Sequence, residues 1–133
     1  MRVVLDTNIF ISGIFWSGDS ERILFYWADG KFELISSTEI IEEIIKTLMN
    51  FRVPLPPRGI LLWLNILLWG ARVIEPNERV NIVRDDPDDN KFIESAVAGK
   101  ADFIVSQDKH LLRIGEFRGI KVLEPRDFLE LLG

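Results

Sequence analysis

Val3-Val4-Leu5-Asp6, followed by the amphipathic segment 7–15, is the stretch of sequence that decides the fold. Its first three residues are apolar and mostly β-branched, which favours a short strand, and the apolar residues after Asp6 recur with helical spacing. A strand that leads directly into a helix is the start of an α/β arrangement. Asp6 is therefore predicted to lie at the carboxyl end of a strand.

The alternation of strand and helix continues along the next forty residues. The sequence predicts a helix over 19–29 and a strand over 32–35. Ser36 and Glu39 have the spacing of a capping box, which predicts that Ser36 caps a helix ending near Asn50. The first third of the chain thus has the order strand, helix, helix, strand, helix.

The remainder of the chain follows the same pattern. Prolines at 54, 56 and 57 interrupt it, and the apolar run after them predicts a buried helix that ends at Gly70. The alternation indicates an α/β fold with a mostly parallel sheet. The further predicted elements are a strand at 72–74, a helix at 91–98, strands at 103–105 and 120–123, and a helix at 125–132.

Size and composition limit the function further. The 133 residues are predicted to form one domain over 1–133, and 47% of them are hydrophobic, enough for a core of ordinary size. The chain has no cysteine, which excludes disulfides, thiolate zinc sites and cysteine nucleophiles. The apolar run 60–69 is about half of the roughly 20 residues that a membrane span needs, and no signal peptide is recognisable, so we expect a cytoplasmic protein without membrane contact.

Acidic residues lie near the carboxyl ends of the predicted parallel strands, where ligands bind in sheets of this kind. Asp6 and Asp108 follow strands, Asp89 starts a helix, and Glu43 lies in the second turn of another helix. Because ligands bind beyond the carboxyl ends of parallel strands, we expect the four carboxylates to converge. Crowded carboxylates repel one another unless a cation joins them, and hard ions such as Mg²⁺ and Mn²⁺ prefer oxygen ligands. Metal-activated water then makes phosphodiester hydrolysis the expected chemistry.

Each of these carboxylates also has a simpler structural alternative. Asp6 and Asp108 can act only as helix caps, and Glu43 can be a solvated charge on a helix. Helical periodicity alone does not choose between Glu43 and its neighbours Glu39 and Glu42. The acidic loop 85–89 can likewise be a polar loop in which one aspartate caps the next helix.

Four segments together resemble a known family. They are Val4-Leu5-Asp6-Thr7-Asn8, Glu39-Ile40-Ile41-Glu42-Glu43-Ile44, Arg84-Asp85-Asp86-Pro87-Asp88-Asp89-Asn90-Lys91-Phe92 and Val105-Ser106-Gln107-Asp108-Lys109-His110-Leu111. In this order they resemble PIN domains, particularly the toxin subfamily related to VapC-type toxins, over essentially the whole chain. The resemblance implies an α/β/α sandwich, a quartet of acidic metal ligands and an endoribonuclease activity.

The resemblance also assigns residues. It implies that Asp6, Glu43, Asp89 and Asp108 bind Mg²⁺ or Mn²⁺. Asn8 and Ser106 match polar positions that orient the first and last aspartates or a metal-bound water, and Asp86 or Asp88 is a supporting ligand. Many relatives have Thr-Gly-Asp where this chain has Ser106-Gln107-Asp108. In the toxin subfamily an antitoxin protein blocks the site and homodimers are usual, so the resemblance implies an RNA substrate, an antitoxin partner and a homodimer.

Several alternatives stay open at this stage. The protein can be a housekeeping RNA-processing nuclease, a non-catalytic RNA- or protein-binding module, or a phosphotransfer domain with an aspartate nucleophile.

The formal net charge of −5 at pH 7 has the wrong sign for attracting nucleic acid by overall charge. His110 is predicted to be a structural or surface residue and not a catalytic one, and Trp63 and Trp69 are either core residues or anchors of a dimer. Four basic residues either contact RNA phosphates or are solvated surface: Arg84, Lys91, Lys109 and Arg113.

Overall fold

The computed structural model describes residues 1–53 and 55–133, so Pro54, one of the three predicted helix breakers, lies outside it. The strands are β1 (Arg2–Leu5), β2 (Glu33–Ser36), β3 (Arg72–Val73), β4 (Phe103–Val105), β5 (Glu116–Phe117) and β6 (Ile120–Leu123). The helices are α1 (Thr7–Phe15), α2 (Asp19–Ala28), α3 (Thr38–Met49), α4 (Pro57–Gly70), α5 (Asn90–Ala98), α6 (Lys109–Leu112) and α7 (Pro125–Leu132). A short 3-10 turn, Pro87–Asp89, precedes α5.

The strands form one mixed sheet with β1 near its centre. Their order is β3-β2-β1-β4-β6-β5, and every neighbouring pair is parallel except β5 and β6. The carboxyl ends of β1 and β4 therefore lie side by side, and the register pairs Leu5 with Val105. The predicted mostly parallel α/β sheet is confirmed.

Helices cover both faces of this sheet. Ile35 of β2 faces α5, because a Cβ added at Gly99 would lie only 2.4 Å from Ile35 Cγ2. Phe103 of β4 points to the opposite face, where its ring lies 6.2 Å from that of Phe128 in α7. The core consists of the fully buried strand residues between these layers, together with apolar side chains from α1, α3 and α5. The result is the expected α/β/α sandwich.

The structure differs from the predicted elements at one helix cap and at one strand. Ser37, not Ser36, caps α3, and its hydroxyl accepts the N–H of Ile40. Ser36 cannot be the cap because it is the last residue of β2 and pairs with Val73 in the sheet. The short antiparallel strand β5 was not predicted, since two residues are too few to give a periodic signal.

Helix α4 is not the buried helix that its composition predicts. Leu67 is its one fully buried residue among those described, whereas Trp69 is 88% exposed. The helix packs on α3 and the edge strand β3, so the fold covers only one side of it. At fourteen residues α4 is the longest helix described, and in the described part of the chain no helix has the length and apolar character needed to cross a membrane.

Candidate metal centre

Asp6 lies at the carboxyl end of the central strand and is almost completely buried. Its backbone N–H donates to Val105 O at 3.0 Å, which extends the β1–β4 pairing by one residue. Its Oδ1 accepts the N–H of Asn8 at 3.1 Å and so caps α1. Burial raises the pKa of Asp6, as do the charges of Asp108 and Glu43, against the opposing hydrogen bonds from Ser106 and Asn8. Capping of α1 therefore accounts for one carboxylate oxygen of Asp6, and the other, Oδ2, binds the Ser106 hydroxyl.

Ser106 joins the first and last aspartates. Its buried hydroxyl donates to Asp6 Oδ2 at 2.5 Å and accepts the N–H of Asp108 at 2.9 Å. Asp108 in turn caps α6 by accepting the N–H of His110 at 2.7 Å. Gln107 is exposed, and it is not among the positive-φ residues of the described chain, so this loop does not require the glycine found in many relatives.

Three carboxylates converge beyond these strand ends. Asp86, Asp89 and Asp108 each present an oxygen atom, and the three atoms lie within 4.8 Å of one another. Asn90 holds the segment that carries Asp86 and Asp89. Its Oδ1 accepts the N–H groups of Ile82 and Val83 at 3.0 and 2.9 Å, and its Nδ2 donates to Pro87 O at 3.0 Å.

Asp89 is buried beside two other carboxylates. Its side chain starts α5 without a capping hydrogen bond, and its buried Oδ2 has no partner among the described residues. Burial, a hydrogen bond with Asp108 and the charges of Asp108, Asp86 and Asp6 raise its pKa to about 8. Neither lysine nor arginine pairs with Asp86, Asp89 or Asp108 in the described part of the chain. The three clustered carboxylates offer the oxygen ligands that hard cations such as Mg²⁺ and Mn²⁺ prefer.

Glu43 is held in a different way, by hydrogen-bond donors. Thr7 donates its hydroxyl to Glu43 Oε2, and Lys91 Nζ lies 2.9 Å from Glu43 Oε1. The Lys91 side chain is only 3% exposed and also binds Asp88. Burial alone would lower the pKa of Lys91, but its hydrogen bonds to Asp88 and Glu43 raise it. Lys91 is therefore a buried lysine paired with two carboxylates, so it is not the solvated surface charge that was one of the two alternatives considered for it.

The structure thus divides the predicted site residues into groups. Asp6 and Asp108 are linked through Ser106, and Asp108 meets Asp89 and Asp86 in the carboxylate cluster. Asp88 is not part of that cluster: its side chain is 66% exposed, and its hydrogen bond with Lys91 lowers its pKa. Asn8 contributes its backbone N–H to Asp6 while the residue itself is exposed.

Sequence reasoning did not find three contributors to this arrangement. Thr7 and Asn90 were given no role in the site, and Lys91 was considered only as an RNA-phosphate contact or as solvated surface. The i, i+3 spacing of Asp88 and Lys91 permits their contact on a helical turn. The contacts that Lys91 and Thr7 make with Glu43 join residues 48 and 36 positions apart, which no local pattern reveals.

Comparisons with known proteins agree on the family. The sequence model of the PIN domain matches residues 2–110. The uncharacterized protein MJ1680 of Methanocaldococcus jannaschii is 33% identical over 147 residues, an alignment that covers 98% of this chain and 90% of that protein.

Solved structures show the same fold at low sequence identity. A chain in the crystal structure of VapBC2 from Rickettsia felis, bound to a DNA fragment from their promoter, has a TM-score of 0.62 at 15% identity, over 93% of this chain and 98% of that one. A chain of VapBC-1 from nontypeable Haemophilus influenzae also has a TM-score of 0.62, at 17% identity, over 95% and 99% of the two chains. With the family match over most of its length, this chain belongs to the PIN domain family.

Proposed function

We propose that this protein is a Mg²⁺- or Mn²⁺-dependent endoribonuclease that hydrolyses RNA phosphodiester bonds at a centre formed by Asp6, Glu43, Asp89 and Asp108. The observation that carries the proposal is the buried, unpartnered Oδ2 of Asp89 beside Asp86 and Asp108. Leaving a buried carboxylate oxygen without a partner is unfavourable, and a divalent cation removes that cost. Membership in the PIN domain family supports the same assignment.

In the proposed mechanism, the residues of this chain hold and orient the carboxylates around the ion. A bound divalent ion would supply an activated water and stabilise charge on the phosphate. Asp89 and Asp108, assisted by Asp86, offer it carboxylate oxygens, and Ser106 keeps Asp6 Oδ2 in a fixed orientation. The N-termini of α1 and α5 add partial positive charge near Asp6 and Asp89, which favours their ionised forms and an incoming phosphate. The expected products carry 5′ phosphate and 3′ hydroxyl ends.

Substrate attraction must come from local charge, because the net charge is negative. Arg84 and Lys109 are exposed, and each lies within two residues of a carboxylate of the cluster along the chain. Arg113 is exposed as well, although it lies 3.5 Å from the carboxylate of Asp85. We assign these three side chains to the contact with RNA phosphates outside the metal centre.

We further propose that the enzyme is a cytoplasmic toxin component inhibited by an antitoxin protein. Two of the similar structures bear the name VapBC, and the four sequence segments resemble that toxin subfamily. Co-purification of the chain with the product of an adjacent small reading frame, together with inhibition of its nuclease activity by that product, tests this role. A chain that is active and has no such inhibitor would be a housekeeping nuclease instead.

A homodimer is proposed through α4. Leu61, Leu62, Leu68 and Trp69 of this helix are at least half exposed, and Trp63 packs against the core beside them. Contiguous exposed apolar patches mark contact surfaces, and tryptophan is enriched among the residues that contribute most to binding at such surfaces. We expect sedimentation velocity to show a dimer for the wild type and a monomer for Trp69→Ser. A wild-type monomer at all concentrations would contradict the dimer and leave the nuclease proposal intact.

The nuclease proposal is tested by incubating purified protein with matched single-stranded RNA and DNA oligonucleotides, in EDTA and in Mn²⁺. We expect internal cleavage of RNA in Mn²⁺ only, with 5′ phosphate ends identified by their sensitivity to phosphatase. Cleavage that persists in EDTA would contradict a metal centre. RNA binding without cleavage would favour the non-catalytic alternative, and products with a 2′,3′-cyclic phosphate would exclude metal-activated water as the nucleophile.

A further inference from the structure

Lys91 is the one buried lysine of the described residues, and its ammonium group is fully occupied. Its Nζ lies 2.9 Å from Glu43 Oε1, 2.8 Å from Asp88 Oδ2 and 3.0 Å from Asp88 O. An ammonium group has three hydrogens, so each of them has an acceptor. The Lys91 side chain is 3% exposed, and its Nζ lies over the Phe92 ring, 5.0 Å from the ring centroid. These contacts fix the position of the ammonium group.

The acidic centre therefore has two sides that differ in whether their carboxylates are paired with a positive charge. On one side, the Asp86, Asp89 and Asp108 carboxylates crowd together without a lysine or arginine partner among the described residues. On the other side, Glu43 already has a cation against Oε1 and a hydroxyl donor against Oε2. The first side lacks a positive charge, and the second side already contains one.

Two-metal centres need two ions about 3.5–4 Å apart, each with its own oxygen ligands. On the Glu43 side, the carboxylates of Glu43 and Asp88 both contact the Lys91 ammonium, which lies between them. A divalent ion there would have to displace a buried lysine or lie against its positive charge, and either is unfavourable.

We propose that the ammonium group of Lys91 takes the place of a second divalent ion beside Glu43, so that the enzyme binds one divalent ion. This inference rests on the proposed metal centre and specifies its stoichiometry. Lys91 is then a positioning residue: it fixes the Glu43 carboxylate at the edge of the single ion and touches neither RNA nor the reacting phosphate.

The test is isothermal titration of Mn²⁺ into the wild type, Lys91→Met and Lys91→Arg, with Lys46→Met as the matched control. Lys46 is an exposed lysine on α3, the helix that carries Glu43. We expect one ion per chain for the wild type, Lys91→Arg and the control. Lys91→Met frees Glu43 and Asp88 and is expected to bind a second ion, which the double variant Lys91→Met/Glu43→Gln then loses.

Each alternative result has a distinct meaning. Two ions in the wild type would overturn the role of Lys91 while leaving the metal-dependent nuclease in place. A single ion in folded Lys91→Met would also overturn it, because Lys91 would not then be what excludes the second ion. No Mn²⁺ binding by the wild type would remove the proposed metal centre itself.

A second measurement does not depend on the folding of any variant. Electron paramagnetic resonance of the wild-type protein with excess Mn²⁺, after removal of free ion, distinguishes an isolated ion from a pair. We expect the six-line spectrum of a single protein-bound Mn²⁺. The spectrum of an exchange-coupled Mn²⁺ pair would overturn the proposal even if Lys91→Met does not fold.

Discussion

Asp6→Asn is expected to lower the rate of Mn²⁺-dependent RNA cleavage by about a thousandfold. Asparagine keeps the shape of the side chain and can still cap α1 through its carbonyl oxygen, so the fold is retained. The substitution removes the negative charge that Ser106 holds at the carboxyl end of β1. Single-turnover rates at saturating RNA over a range of Mn²⁺ concentrations measure the effect.

The control for this substitution is Asp29→Asn. Asp29 follows α2, its side chain is 71% exposed, and its ion pair among the described residues is with Lys31 at 3.7 Å. We expect this variant to cleave RNA at the wild-type rate and to have the same dependence on Mn²⁺. Equal rates for Asp6→Asn and the wild type would show that the activity originates elsewhere, for instance from a contaminating nuclease.

Asp89→Asn is expected to raise the free energy of unfolding relative to the wild type without metal and to lower it relative to the wild type with bound metal. In EDTA at pH 8 or above, the variant is expected to be more stable than the wild type by about 2 kcal/mol. Its amide removes one charge from the cluster and can donate to Asp108. In millimolar Mn²⁺ the wild type gains stability from the bound ion and the variant gains little, so their order of melting temperature reverses.

The sign of the pH dependence follows from the raised pKa of Asp89. The unfolded carboxyl titrates near 3.8, whereas crowding and burial keep the folded carboxyl protonated up to about pH 8. Between these values the folded wild type keeps a proton that the unfolded chain has lost, so its stability falls as pH rises. The stability advantage of Asp89→Asn over the wild type is therefore absent below pH 4, grows between pH 4 and pH 8 and is constant above pH 8. Thermal melts in EDTA from pH 4 to 9 measure it, and a difference independent of pH would contradict the assignment.

Local sequence signals predicted the elements that place the aspartates. Asp6 and Asp108 follow strands whose β-branched residues are fully or mostly buried, and parallel strands bring such positions to the same edge. The polar segment before α5 was predicted as a loop with an aspartate at the helix start, and Asp89 stands there. These features depend on residues close together in the chain, which is why pattern and periodicity could find them.

The features that were missed depend on tertiary contacts. The composition of α4 predicts burial, but its place against the edge strand leaves Trp69 exposed. Ser36 and Ser37 are both chemically suitable as caps, and the extent of β2 decides between them. Lys91 is indistinguishable from a surface lysine until α3 and α5 are packed together, because its partner Glu43 is 48 residues away.

The central claim, that these carboxylates form a metal centre, is tested most directly by locating Mn²⁺ through its anomalous scattering in crystals of the wild-type protein. We expect one peak per chain, at roughly 2.0–2.5 Å from carboxylate oxygens of Asp89 and Asp108 and beside Asp6. Crystals equilibrated in millimolar Mn²⁺ that show no peak at this position, or whose ordered ions lie only at other acidic residues, would contradict the claim.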